Sequence, residues 1–293
     1  MRLGVHVSIA GGLLEAIERA TRLSCNMMQI FSRSPRGGPA PTWTSTQLEA
    51  FDQRRRRAGL DPLIVHGPYI INLASPDPRI WSASLRLYQE EYARCAQLQA
   101  QLLVTHVGSH RGDGEAAGVA RVAEALNRTL AGLEASTRIL LENTAGAGQG
   151  LGYQFEQLAE IRARLTQPPR VGICLDTAHL FAAGFAIHTA KGLKETLNAF
   201  DRLVGLEHLA LIHLNDSKPP FNSRVDRHWH IGQGAIGLEA MRRIVTDPQL
   251  ARLPFILETP KDTEDDDPRN LATVRRLATS ARRLPHARVR SSC

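Results

Sequence analysis

The chain has 293 residues, of which 43% are hydrophobic and 22% charged, an ordinary balance that excludes a wholly disordered or collagen-like polymer. Aromatic residues make up only 5%, so Val, Ile, Leu and Ala must fill the core. Basic residues outnumber acidic ones 36 to 29, giving +7, which points toward nucleic acid or another polyanion. The excess is uneven. Residues 275–293 hold six arginines (Arg275, Arg276, Arg282, Arg283, Arg288, Arg290) and no acid, which leaves 30 basic against 29 acidic residues, or +1, over residues 1–274. The expectation is a barrel-sized catalytic domain over 1–284 and a basic, disordered tail over 285–293. The four cysteines, Cys25, Cys95, Cys174 and Cys293, lack close metal-ligand spacing and suit a reducing compartment. No signal-peptide pattern opens the chain and no run approaches a membrane span, so a cytoplasmic location is expected, with no membrane partner.

Short apolar runs recur along the chain at Leu3–Val7, Met27–Ile30, Leu63–Val65, Leu102–Thr105, Ile139–Leu141, Val171–Leu175, Leu209–Ile212 and Phe255–Leu257. Continuous apolar runs fit parallel strands covered on both faces. Helical spacing fills gaps between them. Gly12–Leu23 puts Leu13, Ile17 and Ala20 on one face. Ala83–Gln101 aligns Leu85, Tyr88, Tyr92 and Cys95. Val119–Leu133 repeats Val119, Val122, Ala125, Leu126 and Leu130. A later helix is expected over Gly237–Ile244, and the run Arg54–Arg57 reads as the solvated face of another. Eight strands separated by helix-length segments predict an α/β fold, a single (β/α)8 TIM barrel.

The strand ends carry the chemistry. His6, Gln29, His66, His106, Glu142, Asp176, His213 and Glu258 stand at or beside the C-terminal ends of the runs. A barrel builds its active site on that face, so residues about 35 apart in sequence converge in space. Asp176-Thr-Ala-His179 and Asp226-Arg-His228 add ligand types in the following loops. The candidates are His66, His106, His179, His213, His228, Glu142, Asp176, Asp226 and Glu258. Imidazole and carboxylate donors without thiolate suit Zn2+, with Mn2+ or Fe2+ as substitutes. Four carboxylates at one mouth would repel one another unless cations neutralise them. Nine donors suffice for two or three ions if a carboxylate bridges. His6 and Gln29 read as groups that position ligands or substrate, and His110 and His230 as outer contacts. His188, His208 and His286 have no special context. A multi-metal site suits phosphoryl chemistry, and sugar isomerisation is the other common use of a metal-loaded barrel.

The motifs resemble those of the endonuclease IV family of zinc-dependent apurinic/apyrimidinic endonucleases. They are His66-Gly-Pro-Tyr-Ile-Ile-Asn72, Leu141-Glu-Asn-Thr-Ala-Gly146, Cys174-Leu-Asp-Thr-Ala-His179, His213-Leu-Asn-Asp-Ser-Lys218 and Asp226-Arg-His-Trp-His-Ile-Gly232. Gly4-Val-His-Val-Ser, Ala10-Gly-Gly12 and Ile256-Leu-Glu-Thr-Pro260 also fit, so the likeness runs from about residue 3 to 282. The resemblance implies three zinc ions: one on His66, His106 and Glu142; a second on Glu142, Asp176, His213 and Glu258; a third on His179, Asp226 and His228. It implies hydrolysis of the phosphodiester 5′ to an abasic site in double-stranded DNA by a metal-activated hydroxide, with Glu142 as the bridging catalytic group. The products would be a 3′-hydroxyl and a 5′-deoxyribose phosphate. It also implies a monomer that takes its target out of the base stack, with Arg36, Tyr69 and Ile70 entering the duplex. Three features depart from the family pattern: a longer loop over 34–41, Val107 where proline is expected, and Ala178 beside His179. Two other readings stand beside this one. A sugar isomerase or epimerase on the same barrel would lean on carboxylates and fewer ions, which five histidines argue against. A DNA-binding module would bind without cutting.

Overall fold

The computed structural model describes residues 1–280; the expected tail, with His286 and Cys293, lies outside them. Eight parallel strands close into a barrel: β1 (Arg2–His6), β2 (Met27–Phe31), β3 (Leu63–His66), β4 (Leu102–His106), β5 (Arg138–Glu142), β6 (Val171–Asp176), β7 (Leu209–His213) and, last in the chain, Pro254–Leu257. Between the last two lies a small antiparallel ladder of β8 (Asp216–Ser217) and β9 (His228–Trp229), which makes Pro254–Leu257 β10. The ring runs β1-β10-β7-β6-β5-β4-β3-β2. This is the (β/α)8 barrel that the spacing of apolar runs predicts.

Several strands extend one residue past the apolar run. His66, His106, Glu142, Asp176 and His213 are the last residues of their strands, and Glu258 directly follows β10. The ladder bonds backbone groups and is indifferent to side-chain polarity. Register then sets the polar residues at one level: His6 pairs with Gln29, His106 with Glu142, and Asp176 with His213. Beneath them Met27, Ile64, Val104, Leu140, Cys174, Leu211 and Ile256 fill the barrel interior. Each such side chain contributes roughly 1.5–3 kcal/mol by leaving water, so the polar layer rests on a dry floor.

The outer ring comprises α1 (Leu13–Arg22), α2 (Ser45–Arg57), α3 (Pro78–Gln97), α4 (Glu115–Gly132), α5 (Phe155–Ala163), α6 (Thr177–Ala182), α7 (Ala190–Leu203), α8 (Leu238–Thr246) and α9 (Asp266–Ser280). Their buried faces follow the expected periodicity, as in α1 with Leu13, Ala16, Ile17 and Ala20. α3 starts earlier than the apolar pattern suggests, because Asp77 caps it and Pro78 fits its first turn. α2 opens on a reciprocal capping box between Thr44 and Gln47. The arginine run within it is not a uniform solvated face. Arg55 is buried, donating to Leu60 O and Asp52 Oδ1, each at 2.9 Å. No helix among the described residues is long and apolar enough to cross a membrane.

Candidate metal centre

Glu142 sits at the middle of the polar layer and is fully buried. Its two oxygens face different neighbours. Oε2 lies 3.1 Å from both His66 Nε2 and His106 Nε2, while Oε1 lies 2.9 Å from His213 Nδ1 and 3.5 Å from His179 Nδ1. Glu258 Oε2 is 3.2 Å from His213 Nδ1. Three overlapping sets of donor atoms fall within 4.8 Å of one another: His66, His106 and Glu142; Glu142, Asp176, His213 and Glu258; and Asp176, His179 and His228. The first two sets match the expected groupings. In the third, Asp176 takes the place expected of Asp226. Asp176 is fixed as the N-cap of α6, where Oδ1 accepts from His179 N at 2.8 Å. Asp226 rides an exposed loop, with Oδ1 3.1 Å from His179 Nε2 and 3.5 Å from His228 Nε2. All nine predicted residues therefore meet at one mouth.

A tenth residue, Cys174, also falls within reach of Glu142 and His213. Burial in the apolar floor pushes its thiol up to about 12, so it stays protonated and is a poor donor at neutral pH.

The imidazoles are oriented from behind. His66 Nδ1 meets Gly67 O at 2.8 Å, His179 Nδ1 meets Asn143 O at 2.9 Å, and His228 Nδ1 meets Glu258 O at 3.1 Å. A carbonyl only accepts, so each of those nitrogens carries the proton. In the neutral ring the opposite nitrogen then turns a lone pair inward. This is the arrangement of metal-binding histidines. The buried Nε2 atoms of His179 and His228 make no aligned hydrogen bond, although carboxylate oxygens lie nearby. Bare ring nitrogens among carboxylates fit a divalent cation of the zinc, manganese or iron type.

Electrostatics say the same. Burial works to raise the Glu142 pKa, but His213 and His106 outweigh it and hold the carboxyl well below its usual range. Burial is likewise outweighed at Glu258, chiefly by His213 and His6. Asp226 is half exposed but partly desolvated against the cavity wall, and His179 and His228 overcome that penalty and bring its pKa to about 2. Burial disfavours the charged form of His179, yet Asp176, Asp226 and Glu142 drive its pKa well above normal. The cluster is a negative hole that demands positive charge.

The rim holds the three expected duplex-entering residues. Tyr69 and Ile70 are 60% and 50% exposed, unusual for side chains of their size. Tyr69 packs its ring 5.6 Å from His66 and 5.9 Å from His106. Arg36 is exposed on the 34–41 loop, which abuts Ile70: a Cβ on Gly37 would stand 3.1 Å from Ile70 Cδ1. The cavity below measures about 510 Å³ and is lined by His66, Tyr69, His106, His179, Asp226 and His228 among others.

Sequence reasoning assigns no role to Asn143, Asn215 and Asp216. Asn143 brackets the Asp176 backbone, accepting from its N–H at 2.7 Å and donating to its carbonyl at 3.3 Å. Asn215 donates to Asp176 Oδ2 at 2.6 Å and accepts from Glu258 N at 2.8 Å. Asn143 directly follows β5, and Asn215 and Asp216 come two and three residues after the end of β7, which is the one sequence signal they give. His110 instead ties its own loop, accepting from Gly112 N and Gly114 N. His230 meets Asn270 of α9. The departing residues Val107 and Ala178 are buried.

Residues 17–281 match the family described as xylose isomerase-like TIM barrel. A Chloroflexus aurantiacus protein named "Probable endonuclease 4" is 46% identical over 282 residues, covering 96% of this chain and 99% of the relative. The chain belongs to the endonuclease IV family. It is a nuclease of the DNA-repair type. The crystal structure of endonuclease IV from Thermus thermophilus superposes with a TM-score of 0.86 at 37% identity, covering 96% of this chain and all of that one. A D-tagatose 3-epimerase-like protein matches at a TM-score of 0.70 and 17% identity, a likeness of fold alone. Endonuclease IV relatives at this identity remove the sugar isomerase alternative.

Proposed function

We propose that this endonuclease IV family member hydrolyses the phosphodiester 5′ to an abasic site in double-stranded DNA, leaving a 3′-hydroxyl and a 5′-deoxyribose phosphate. The observation that carries the reading is the ring of imidazoles at the barrel mouth: His66, His106 and His213 stand about the buried Glu142 carboxylate, and His66, His179 and His228 are each tied from behind by a backbone carbonyl. Three Zn2+ ions fit the donors. His66, His106 and Glu142 would hold the first; Glu142, Asp176, His213 and Glu258 the second; His179 and His228 the third, with Asp226 completing it from its loop. Divalent ions so held acidify water and polarise phosphoryl oxygens.

The protein's own groups do the rest. Glu142 would serve both of the first two ions, because its two oxygens face separate imidazole sets. The backbone acceptors behind His66, His179 and His228 fix their orientation without reorganisation when substrate arrives. Tyr69 and Ile70 offer exposed apolar surface to occupy the space a missing base leaves in the stack, and Arg36 beside them supplies a guanidinium for phosphate. No serine or cysteine nucleophile is needed. The protein acts as a cytoplasmic monomer.

Metal analysis of the purified protein, paired with cleavage of a duplex carrying one synthetic abasic site, tests the reading. We expect three zinc ions per chain, loss of cleavage on chelation, and its return with zinc. Glu142→Ala should fall to background. Full activity in that variant, or an intact duplex with fully loaded enzyme, overturns the proposal.

A further inference from the structure

Gln29 lies fully buried on β2, in register with His6 on β1. It is not among the donors described above, yet its amide touches two of the residues that are. Nε2 donates to Glu258 Oε1 at 2.6 Å and lies 2.9 Å from His6 Nδ1. Oε1 lies 2.8 Å from His213 Nε2. The carboxylate decides which way the amide points. An ionised Glu258 only accepts, so the NH2 group must face it and the amide oxygen must face His213. His213 Nε2 therefore carries a proton.

We propose that Gln29 is a positioning residue that selects the donor atoms His213 and Glu258 turn toward the metal centre. By accepting from His213 Nε2–H it leaves Nδ1 as the donor, and Nδ1 is the nitrogen that stands 2.9 Å from Glu142 Oε1. By engaging Glu258 Oε1 it leaves Oε2, which stands 3.2 Å from His213 Nδ1, as the oxygen that would face an ion. Nε2 also packs against His6 Nδ1, which itself stands 3.4 Å from the same Glu258 oxygen, so the amide, the imidazole and the carboxylate form one contact. Partners of this kind behind a ligand change metal affinity by about 10–100-fold.

The inference rests on the metal reading above, and its test separates the two. Gln29→Met keeps the side-chain volume and removes all three polar contacts. Loaded with Co2+ in place of zinc, this variant should show an altered visible absorption spectrum and release its ions to a chelator at about 10–100-fold lower chelator concentration than wild type. An unchanged spectrum and unchanged release overturn the role of Gln29. If the variant does not fold, the wild-type holoenzyme still decides. Nitrogen NMR of its labelled histidines should find His213 protonated at Nε2 and metal-bound through Nδ1; the reverse assignment overturns the proposal. A wild-type protein that retains no metal overturns the metal reading itself, a result distinct from a loaded wild type matched by its Gln29→Met variant.

Discussion

Five backbone amides close on the buried carboxylate of Asp216. Oδ1 accepts from Ser217 N at 2.8 Å and Ile236 N at 2.9 Å, and Oδ2 from Gly232, Gly234 and Gly237 N at 2.9, 3.1 and 3.3 Å. This cage shapes the segment that follows His228. Gly234 lies so close that a Cβ there would stand 2.4 Å from Ser217 O, which only glycine permits. Asp216→Asn would turn an NH2 group toward amides that themselves donate. Hydrogen bonds to a charged group are worth about 1.5–3 kcal/mol, and the substitution breaks several while leaving donors buried. We expect a loss of at least about 2 kcal/mol in urea unfolding of the metal-free protein. A midpoint and slope equal to wild type would refute the cage. The ligand-type residues were legible in the sequence because imidazoles and carboxylates at strand ends imply cations. Asp216 was not, because the five amides that explain it come from residues up to 21 positions away, and only the folded loop brings them together.

At the level of elements, the sequence announced the eight strands through apolar runs, and the closed barrel follows from their spacing. It concealed the last residue of several strands, where polar side chains continue a backbone ladder. It also concealed the β8–β9 ladder, whose two-residue strands have no periodicity to read. α2 shows a third kind of gap. Four consecutive arginines look alike in sequence, but a helix turns each by about 100°. Arg55 consequently points inward and is 1% exposed, whereas Arg54 meets Glu18 on the surface, with both side chains well exposed. Arg55 holds the loop after α2 through Leu60 O, and Asp52 through its other guanidinium arm. Arg55→Ala should therefore cost about 3 kcal/mol, since it empties a packed site and strands a buried carbonyl. Arg54→Ala and Arg57→Ala should each stay within about 1 kcal/mol, the worth of an exposed pair. Chemical denaturation of the three variants checks the order; equal costs would show that the helix does not discriminate its arginines.

At the scale of the whole molecule, the described chain ends on the face opposite the candidate site. α9 begins after β10, at the C-terminal end of the barrel, and runs back along it for roughly 22 Å at 1.5 Å per residue. Near its far end Arg275 donates to Leu23 O and Ser24 O, in the turn that leads into the N-terminal end of β2. The described chain thus ends on the side away from the metal centre. Of the six arginines counted between 275 and 293, Arg275 is occupied by that turn, and Arg282, Arg283, Arg288 and Arg290 follow residue 280. The +7 of the sequence is therefore no measure of the charge at the barrel mouth, where bound cations would add charge that no residue count contains. The two sources can be separated by salt. Each phosphate neutralised by a protein cation steepens the dependence of log affinity on log salt by about 0.9. Four arginines engaged with DNA would therefore contribute roughly 3.6 to the slope, and arginines on the far face none. Ending the chain at residue 280 keeps every described element. It should shift the slope by less than about 1 and leave abasic-site cleavage within about 3-fold of wild type. Metal removal from the full-length protein should weaken binding more than the truncation does. Fluorescence anisotropy with an abasic duplex across a salt series measures both effects. A slope that flattens by about 3 or more on truncation would place the tail on the DNA and return the basic excess to its first reading.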